Sequence, residues 1–447
     1  MIDKGMITVL DDFMGKGKTS FAIQFINRHR RDLSYVYCTP FLDEVERIRQ
    51  CCPDANFLAP TYASGRKIDD FNLLLMEGAN IVVTHSTFTN ATDETIEYLR
   101  DSNYVLIMDE TLSTLENFND VCTDMTQRVN RKDIQMLRDK GIIQVDDYGY
   151  VSWVGESYMG GKYSDVERLA KNGTLLFLDD SMLVWQFPAY IFALFRKVLI
   201  LTYCFDGSIL KPYFQYHGLQ YEKKSVEYVD GRYELTDYRV DYETLAKYRG
   251  LITVYDNKKA NDYKNHALSK SWYNRRSKTE LDELQRNLRN FFLNTMKAKS
   301  KDILWTCPKD YYDYLKSKGF ISLRRLTPEE RKLPKQDQER LERELSCFLP
   351  CNSRATNMYR ERSVLAYCIN MFMNPYVKKY FEKKNIKDGT SIEVNEELFA
   401  LQMMLQWIFR SRIRDMQPIT IYIPSSRMRN MLLSWLQEGE ISHVTAA

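Results

Sequence analysis

The chain has 447 residues, with 63 lysines and arginines against 60 aspartates and glutamates, and 44% of its residues are hydrophobic. That length and composition fit two or three domains with ordinary cores and exclude a disordered chain. A formal net charge of +3 excludes a basic field over the whole molecule, so nucleic-acid contact has to come from local patches. No apolar run reaches the roughly 18 residues of a membrane span. The opening MIDKGMITVL lacks the basic and long apolar regions of a secretory signal. The nine cysteines are odd in number and form no CxxC pair, which reads as reduced, mostly buried intracellular thiols and predicts a cytoplasmic protein. The five histidines are scattered and suggest no zinc site.

In chain order, Met6–Asp11 is a short apolar strand that runs into a glycine loop, and Ser20–Arg31 reads as the following helix. Leu33–Cys38 and Phe41–Gln50 repeat the strand-helix pattern. Ile81–Thr84, Tyr104–Met108 and Val198–Thr202 are continuous apolar runs, as expected of strands buried on both faces. Such alternation predicts a parallel α/β sheet. Between Glu110 and Lys197 the pattern loosens into an insertion, with a hairpin over Ile142–Val154 and otherwise helical character. Residues 207–249 are Tyr-rich and weakly alternating, fitting small strands that connect two domains. A second α/β region follows, with strands at Leu251–Tyr255, Asp302–Thr306, Phe348–Cys351 and Ile419–Ile423. Its helices are predicted at Thr279–Lys297, Pro328–Glu344, Glu396–Arg412 and Ser426–Leu436. The resulting division is 1–206, with an insertion at about 111–197, then 207–249, then 250–447.

The most specific motif is Asp12-Phe-Met-Gly15-Lys16-Gly17-Lys18-Thr19, followed by Ser20, between a strand and a helix. Glycines there let backbone N–H groups turn toward phosphate oxygens, and the helix N-terminus adds partial positive charge. Lys18 can reach the β- and γ-phosphates, and the Thr19 hydroxyl can ligate Mg²⁺. The first glycine of the usual pattern is replaced by Asp12. The second motif is Asp109-Glu110 at the end of an apolar strand, where paired carboxylates are costly without a task. Beside a phosphate loop, Asp109 would hold the Mg²⁺ shell and Glu110 would orient the attacking water. In the second half, residues 401–414 read as one helix. Its Gln406, Arg410 and Arg414 would then share a face that stabilises charge at a transferring phosphate. A solvated basic face is the alternative.

With these motifs the chain resembles the superfamily 2 helicases and translocases over nearly its whole length, specifically the DEAD/DEAH-like helicases of phages that infect Gram-positive bacteria. Gly15–Thr19 resembles motif I, and Asp109-Glu110-Thr-Leu resembles motif II. Thr39-Pro40 resembles motif Ia and Thr84-His85-Ser86 motif Ib. Leu201-Thr202-Tyr203 stands at motif III, and Ile303–Thr306 with Cys307 at motif IV. Arg354, Thr356 and Asn357 fall in a divergent motif V, and Gln406, Arg410 and Arg414 resemble motif VI. The resemblance implies two RecA-like P-loop domains in tandem, the first carrying the insertion. It also implies ATP and Mg²⁺ as cofactors, a cleft between the domains, and strand contacts through Thr39, Pro40, Thr84, His85, Thr306, Arg354, Thr356 and Asn357. The implied activity is an ATP-dependent helicase or translocase, on DNA sooner than RNA, in phage replication, with replication proteins as partners.

Departures mark where the resemblance is thin. Motif VI has Phe409 in place of the usual glycine. Its last arginine lies four residues after Arg410, with Arg412 as a rival. Few residues precede the first strand, so an upstream adenine-reading Q motif has no counterpart and base selectivity comes from the resemblance alone. The stretch Asn261–Lys301 interleaves basic residues with Tyr263, Trp272 and Tyr273, which fits phosphate neutralisation and base stacking, or equally a solvated helix with core aromatics. Arg362 is a further candidate for gripping phosphates. The rival functions are a terminase-like packaging motor, an RNA helicase, and a nucleotide-gated replication loader that does not unwind.

Overall fold

The computed structural model describes residues 5–438 except 41, 64, 101, 123, 158–159, 262, 265, 321–324 and 353–357. The chain forms two compact units. The first holds the residues up to Asp12, then Lys16–Tyr238 and Met373–Asn395. The second holds Phe13–Gly15, Arg239–Phe372 and the chain from Glu396 onward. Among the described residues, no helix is long and apolar enough to cross a membrane.

The first unit begins with β1 (Met6–Asp11), the helix α1 (Lys18–His29), β2 (Ser34–Thr39), β3 (Ile81–Thr84) and β4 (Tyr104–Asp109). An insertion follows with β5 (Leu115–Asn117), β6 (Ile143–Val145), β7 (Val151–Trp153), β8 (Leu175–Leu178) and β9 (Met182–Gln186). Then come β10 (Lys197–Thr202), β11 (Tyr221–Val229) and β12 (Arg232–Asp237). The main sheet has the order β12-β11-β1-β10-β4-β2-β3, and only the β11–β12 pair is antiparallel. Its central strands bury Ile7, Val9, Leu10, Val36, Tyr37, Leu106, Ile107 and Leu199 completely. That burial on both faces is why their sequences are continuous apolar runs and not alternating ones.

The expected connecting segment 207–249 is therefore divided: its strands Tyr221–Val229 and Arg232–Asp237 extend the first unit's sheet. The insertion carries the predicted hairpin as β6–β7, but it also contains a three-stranded antiparallel sheet, β5-β9-β8, where helical character was expected. A helix from later in the chain, Pro375–Asp388, packs on this insertion. The Tyr380 hydroxyl donates to Gln186 Oε1 at 3.1 Å, and Lys379 pairs with Asp179. Buried Lys384 lies 4.8–5.8 Å from the ring centres of Tyr148, Tyr150, Tyr216 and Tyr380.

The second unit has a four-stranded parallel sheet of β13 (Ile252–Val254), β14 (Ile303–Thr306), β15 (Val364–Tyr367) and β16 (Ile419–Tyr422), ordered β13-β16-β15-β14. The expected strand at Phe348–Cys351 contributes only a single bridge, Phe348 to Trp305. Pro350 has no N–H with which to continue a ladder. The apolar run Val364–Tyr367 takes the place in the sheet. The predicted Thr279–Lys297 helix is α-helical over Lys278–Arg289 and continues as a π-turn through Asn290–Thr295. The charge-rich Lys335–Leu345 helix is largely exposed, as a solvated face should be. Phe13 packs edge-on against Tyr248 and Trp435 in this unit.

Candidate nucleotide site

Residues 12–20 join β1 to α1. Gly15 and Gly17 adopt φ of 89° and 93°, a region that L side chains rarely enter. At Gly17 a second constraint applies: an added Cβ would lie 2.1 Å from Cε1 of Tyr233. The substitution of the first pattern glycine by Asp12 has a structural account. Its buried carboxylate accepts the Val226 N–H at 3.1 Å, fastening the start of the loop to β11. Lys18 Nζ donates to the Asp12 carbonyl. Burial pulls the Lys18 pKa down, while Asp12, Glu110, Asp11 and Asp109 pull it up. Gly17 is the N-cap of α1, whose first turn has no acidic residue and no side-chain cap. The loop-helix junction therefore favours an anion. Lys16, Lys18, Thr19 and Ser20 are all partly accessible there.

The parallel register brings the second motif to the same sheet edge. Asp11 pairs with Thr202 across β1–β10, and Leu201 pairs with Asp109 across β10–β4. One strand thus separates the loop strand from the acidic strand. The Asp109 pKa is pushed up to about 7, first by burial, then by the neighbouring charges of Glu110 and Glu44. Glu110 sits at φ 66° and donates its N–H to the Leu201 carbonyl at 2.9 Å. A non-glycine residue held in this region costs about 1–3 kcal/mol, and such strain concentrates at functional sites.

Sequence reasoning missed the support beneath this row. The Asp11 carboxylate accepts the Phe205 N–H at 3.1 Å and pairs with Lys223 at 2.9 Å. Lys223 also pairs with Asp206 at 2.7 Å and lies 3.6 Å from the Tyr238 ring centre. These residues tie the end of β10, the predicted motif III, to the loop strand. Their charges are far apart in sequence and no local pattern announces them.

The donor chemistry suits Mg²⁺. Thr19 offers a hydroxyl and Asp109 a carboxylate, both hard oxygen ligands, and Asp109 is a carboxylate whose charge is disfavoured first by burial and then by its neighbours Glu110 and Glu44. Among the described residues no group of three or more His, Cys, Asp or Glu side chains forms a metal cage. Mg²⁺ sites that rely on one or two carboxylates plus substrate phosphates have this character.

The predicted strand-contact residues are less accessible than expected. Thr39 and Thr306 are fully buried and His85 nearly so, which removes their side chains from any surface contact in this structure. Thr39 and Thr306 end apolar strands that lie within the sheets, and His85 opens the short helix that follows β3. Thr84 caps the short helix His85–Phe88 by accepting the Thr87 N–H. With Ser86, Arg66, Lys67 and Arg168 it lines an open cavity of about 640 Å³. Pro40 is half-buried. Arg354, Thr356 and Asn357 lie outside the described residues. Arg362 is buried and donates to the Ser300 and Ser346 carbonyls, so it braces the second unit's core and does not face solvent. The aromatic residues of the basic stretch go to the core as well. Tyr273 is buried and donates to the Cys368 carbonyl, while Tyr263 and Trp272 pack on the same cluster.

The expected single helical face carrying Gln406, Arg410 and Arg414 does not form. The helix spans Glu396–Ile408, and a 3-10 turn occupies Arg412–Asp415. Ser411 ends the helix by directing both its N–H and its hydroxyl to the Ile408 carbonyl, at 3.0 and 2.6 Å. Gln406 thus sits in the helix's last turn, Arg410 is buried just beyond it, and Arg414 is in the separate turn. The rival Arg412 donates to the Pro418 carbonyl at 2.6 Å, which ties it to its own loop.

A family model described as the YonV C-terminal Rossmann-like domain matches residues 246–436, and one described as the YonV middle domain matches residues 125–185. The SPbeta prophage-derived uncharacterized protein YonV of Bacillus subtilis (strain 168) is 34% identical over 447 residues, covering 96% of this chain and 98% of that protein. Among solved structures, S. tokodaii Xpd4 is similar with a TM-score of 0.45 and 12% identity, covering 98% of this chain and 95% of that chain. The DUF1998 helicase MrfA, bound to DNA and AMPPNP, is similar with a TM-score of 0.33 and 10% identity, covering 97% of this chain and 48% of that chain.

Proposed function

The chain belongs to the YonV family, and for this member we propose an ATP-dependent nucleic-acid helicase or translocase, with DNA favoured over RNA. The observation that supports the reading is the row of parallel strands β1-β10-β4, whose register brings the start of the Asp12–Ser20 loop and Asp109–Glu110 to one sheet edge. Adjacent carboxylates at the end of a buried strand are costly without a countercharge, and the Mg²⁺ that accompanies a triphosphate would supply it.

In this reading Lys18 and the loop N–H groups hold the phosphate oxygens. Thr19 and Asp109 would hold Mg²⁺, which supplies positive charge to the phosphate oxygens. Glu110 orients and deprotonates the attacking water. Gln406, Arg410 and Arg414 keep their proposed part in stabilising charge at the transferring phosphate. RecA-like character for both units belongs to the same proposal. The prophage origin of the Bacillus subtilis relative supports a phage setting, and with it the cytoplasm of the host and replication proteins as partners. The accessible edge near Thr84 and Ser86, with Arg66, Lys67 and Arg168, is the part of the first unit best suited to a strand's backbone.

An unwinding assay on a fluorescent duplex tests the proposal, with Lys18→Ala as the inactive control. ATP-dependent strand release absent from the control supports a helicase. ATP-dependent DNA binding with no release and no movement would favour the loader.

A further inference from the structure

We propose that the β11–β12 hairpin forms the base subsite of the nucleotide site, with Tyr228 and Tyr233 as the platform on which the nucleotide base stacks. This rests on the reading of residues 12–20 as a triphosphate-binding loop.

The first observation is the closeness of Tyr233 to the loop. A Gly17 Cβ would lie 2.1 Å from Cε1 of its ring, so the ring packs against the backbone one residue before Lys18. The second is the fastening of the hairpin to α1. Gln24 Nε2 donates to the Tyr233 carbonyl at 2.8 Å, and Gln24 Oε1 accepts the Tyr233 N–H at 3.0 Å. Ser20 and Gln24 are four residues apart on α1 and share a face. A triphosphate seated on Lys18–Ser20 continues through its ribose along the face that leads to Tyr233. Gln24 is a positioning residue here: both ends of its amide are engaged by the hairpin's backbone.

The third observation is the partner ring. Tyr228 stands directly opposite Tyr233 across the two strands, on the same face of the hairpin. The ring centroids are 4.9 Å apart with 56° between planes. Tyr228 is 66% exposed, so one ring is braced by the other and offers its own face to solvent. Aromatic stacking recognises the flat face of a base and tolerates changes at its edge. The subsite therefore recognises a base by its face and discriminates little at its edge, so ATP and GTP bind similarly.

Calorimetric titration of the full chain with ATP, GTP and inorganic tripolyphosphate, all with Mg²⁺, tests this. Wild type should bind ATP more tightly than tripolyphosphate. Tyr228→Ala should weaken ATP and GTP by roughly tenfold while leaving tripolyphosphate within about twofold. Tyr228→Phe should keep the wild-type affinities, because the stacking face survives. Unchanged ATP affinity in Tyr228→Ala would overturn the subsite, as would a parallel loss for ATP and tripolyphosphate. Equal wild-type affinities for ATP and tripolyphosphate would overturn the subsite and leave the loop reading standing. Failure of wild type to bind either would remove the loop reading and the subsite with it.

Discussion

Replacing Gly17 with alanine perturbs the loop in two separable ways. An L residue at φ 93° costs about 1–2 kcal/mol from the contact of its Cβ with the following carbonyl. The new Cβ would also lie 2.1 Å from the Tyr233 ring, so the ring has to move. Tyr233 is held at its backbone by Gln24, which leaves only side-chain rotation and strand displacement to relieve the overlap. Overpacking of this kind costs about 1–3 kcal/mol, for a total of about 2–5 kcal/mol. Urea unfolding of wild type, Gly17→Ala, Tyr233→Ala and the double variant completes a cycle that separates the two terms. The double variant should be less unstable than the sum of the singles by about 1–3 kcal/mol, because the overlap is gone. Strict additivity would refute the proposed contact between Tyr233 and the loop. A Gly17→Ala chain as stable as wild type would refute both terms.

The remaining predictions concern charge. The Asp109 pKa in the fold, about 7, lies above its ordinary 3.8, so the native state binds more protons than the unfolded chain between those values. Stability contributed by this group is present at low pH and lost as pH rises toward and through 7. Asp109→Asn should therefore be more stable than wild type at pH near 8, by roughly 1–3 kcal/mol, while losing ATP turnover. Mg²⁺ should stabilise wild type at that pH and leave the variant unmoved, as thermal melts with and without chelator will show. Lys384 behaves in the opposite sense: its pKa falls to about 8 from 10.5, chiefly through burial. Stability should rise as pH passes from about 8 to 10.5, and Lys384→Met should abolish that rise. Lys18→Ala should abolish turnover, and Arg414→Ala should spare nucleotide binding while suppressing hydrolysis; normal turnover in the latter rejects Arg414 as a residue that stabilises charge at the transferring phosphate.

The readable parts of the chain were those in which one local signal had one cause. The runs at Met6–Asp11, Tyr104–Met108 and Val198–Thr202 are apolar because both sheet faces are covered, and the structure has strands at all three. The unreadable parts were decided by distant neighbours. Tyr263, Trp272 and Tyr273 carry the same pattern whether they stack on bases or fill a core, and here the core took them. The helical spacing of Gln406, Arg410 and Arg414 gave no warning that the Ser411 hydroxyl would end the helix. Pro350 did mark Phe348–Cys351 as a poor strand, a signal that the apolar run around it outweighed. The Asp11–Lys223–Asp206 network and the approach of Tyr233 to Gly17 join residues far apart in the chain. Only the folded sheet brings them together.

In the proposed function the Asp12–Ser20 loop and Asp109–Glu110 form an ATPase coupled to nucleic acid. Steady-state ATP hydrolysis, measured without polymer and with single-stranded DNA, duplex DNA or RNA, tests it most directly with Glu110→Gln as control. Turnover should be strongly stimulated by DNA and lost in the variant. Turnover indifferent to every polymer, or retained in Glu110→Gln, would contradict it.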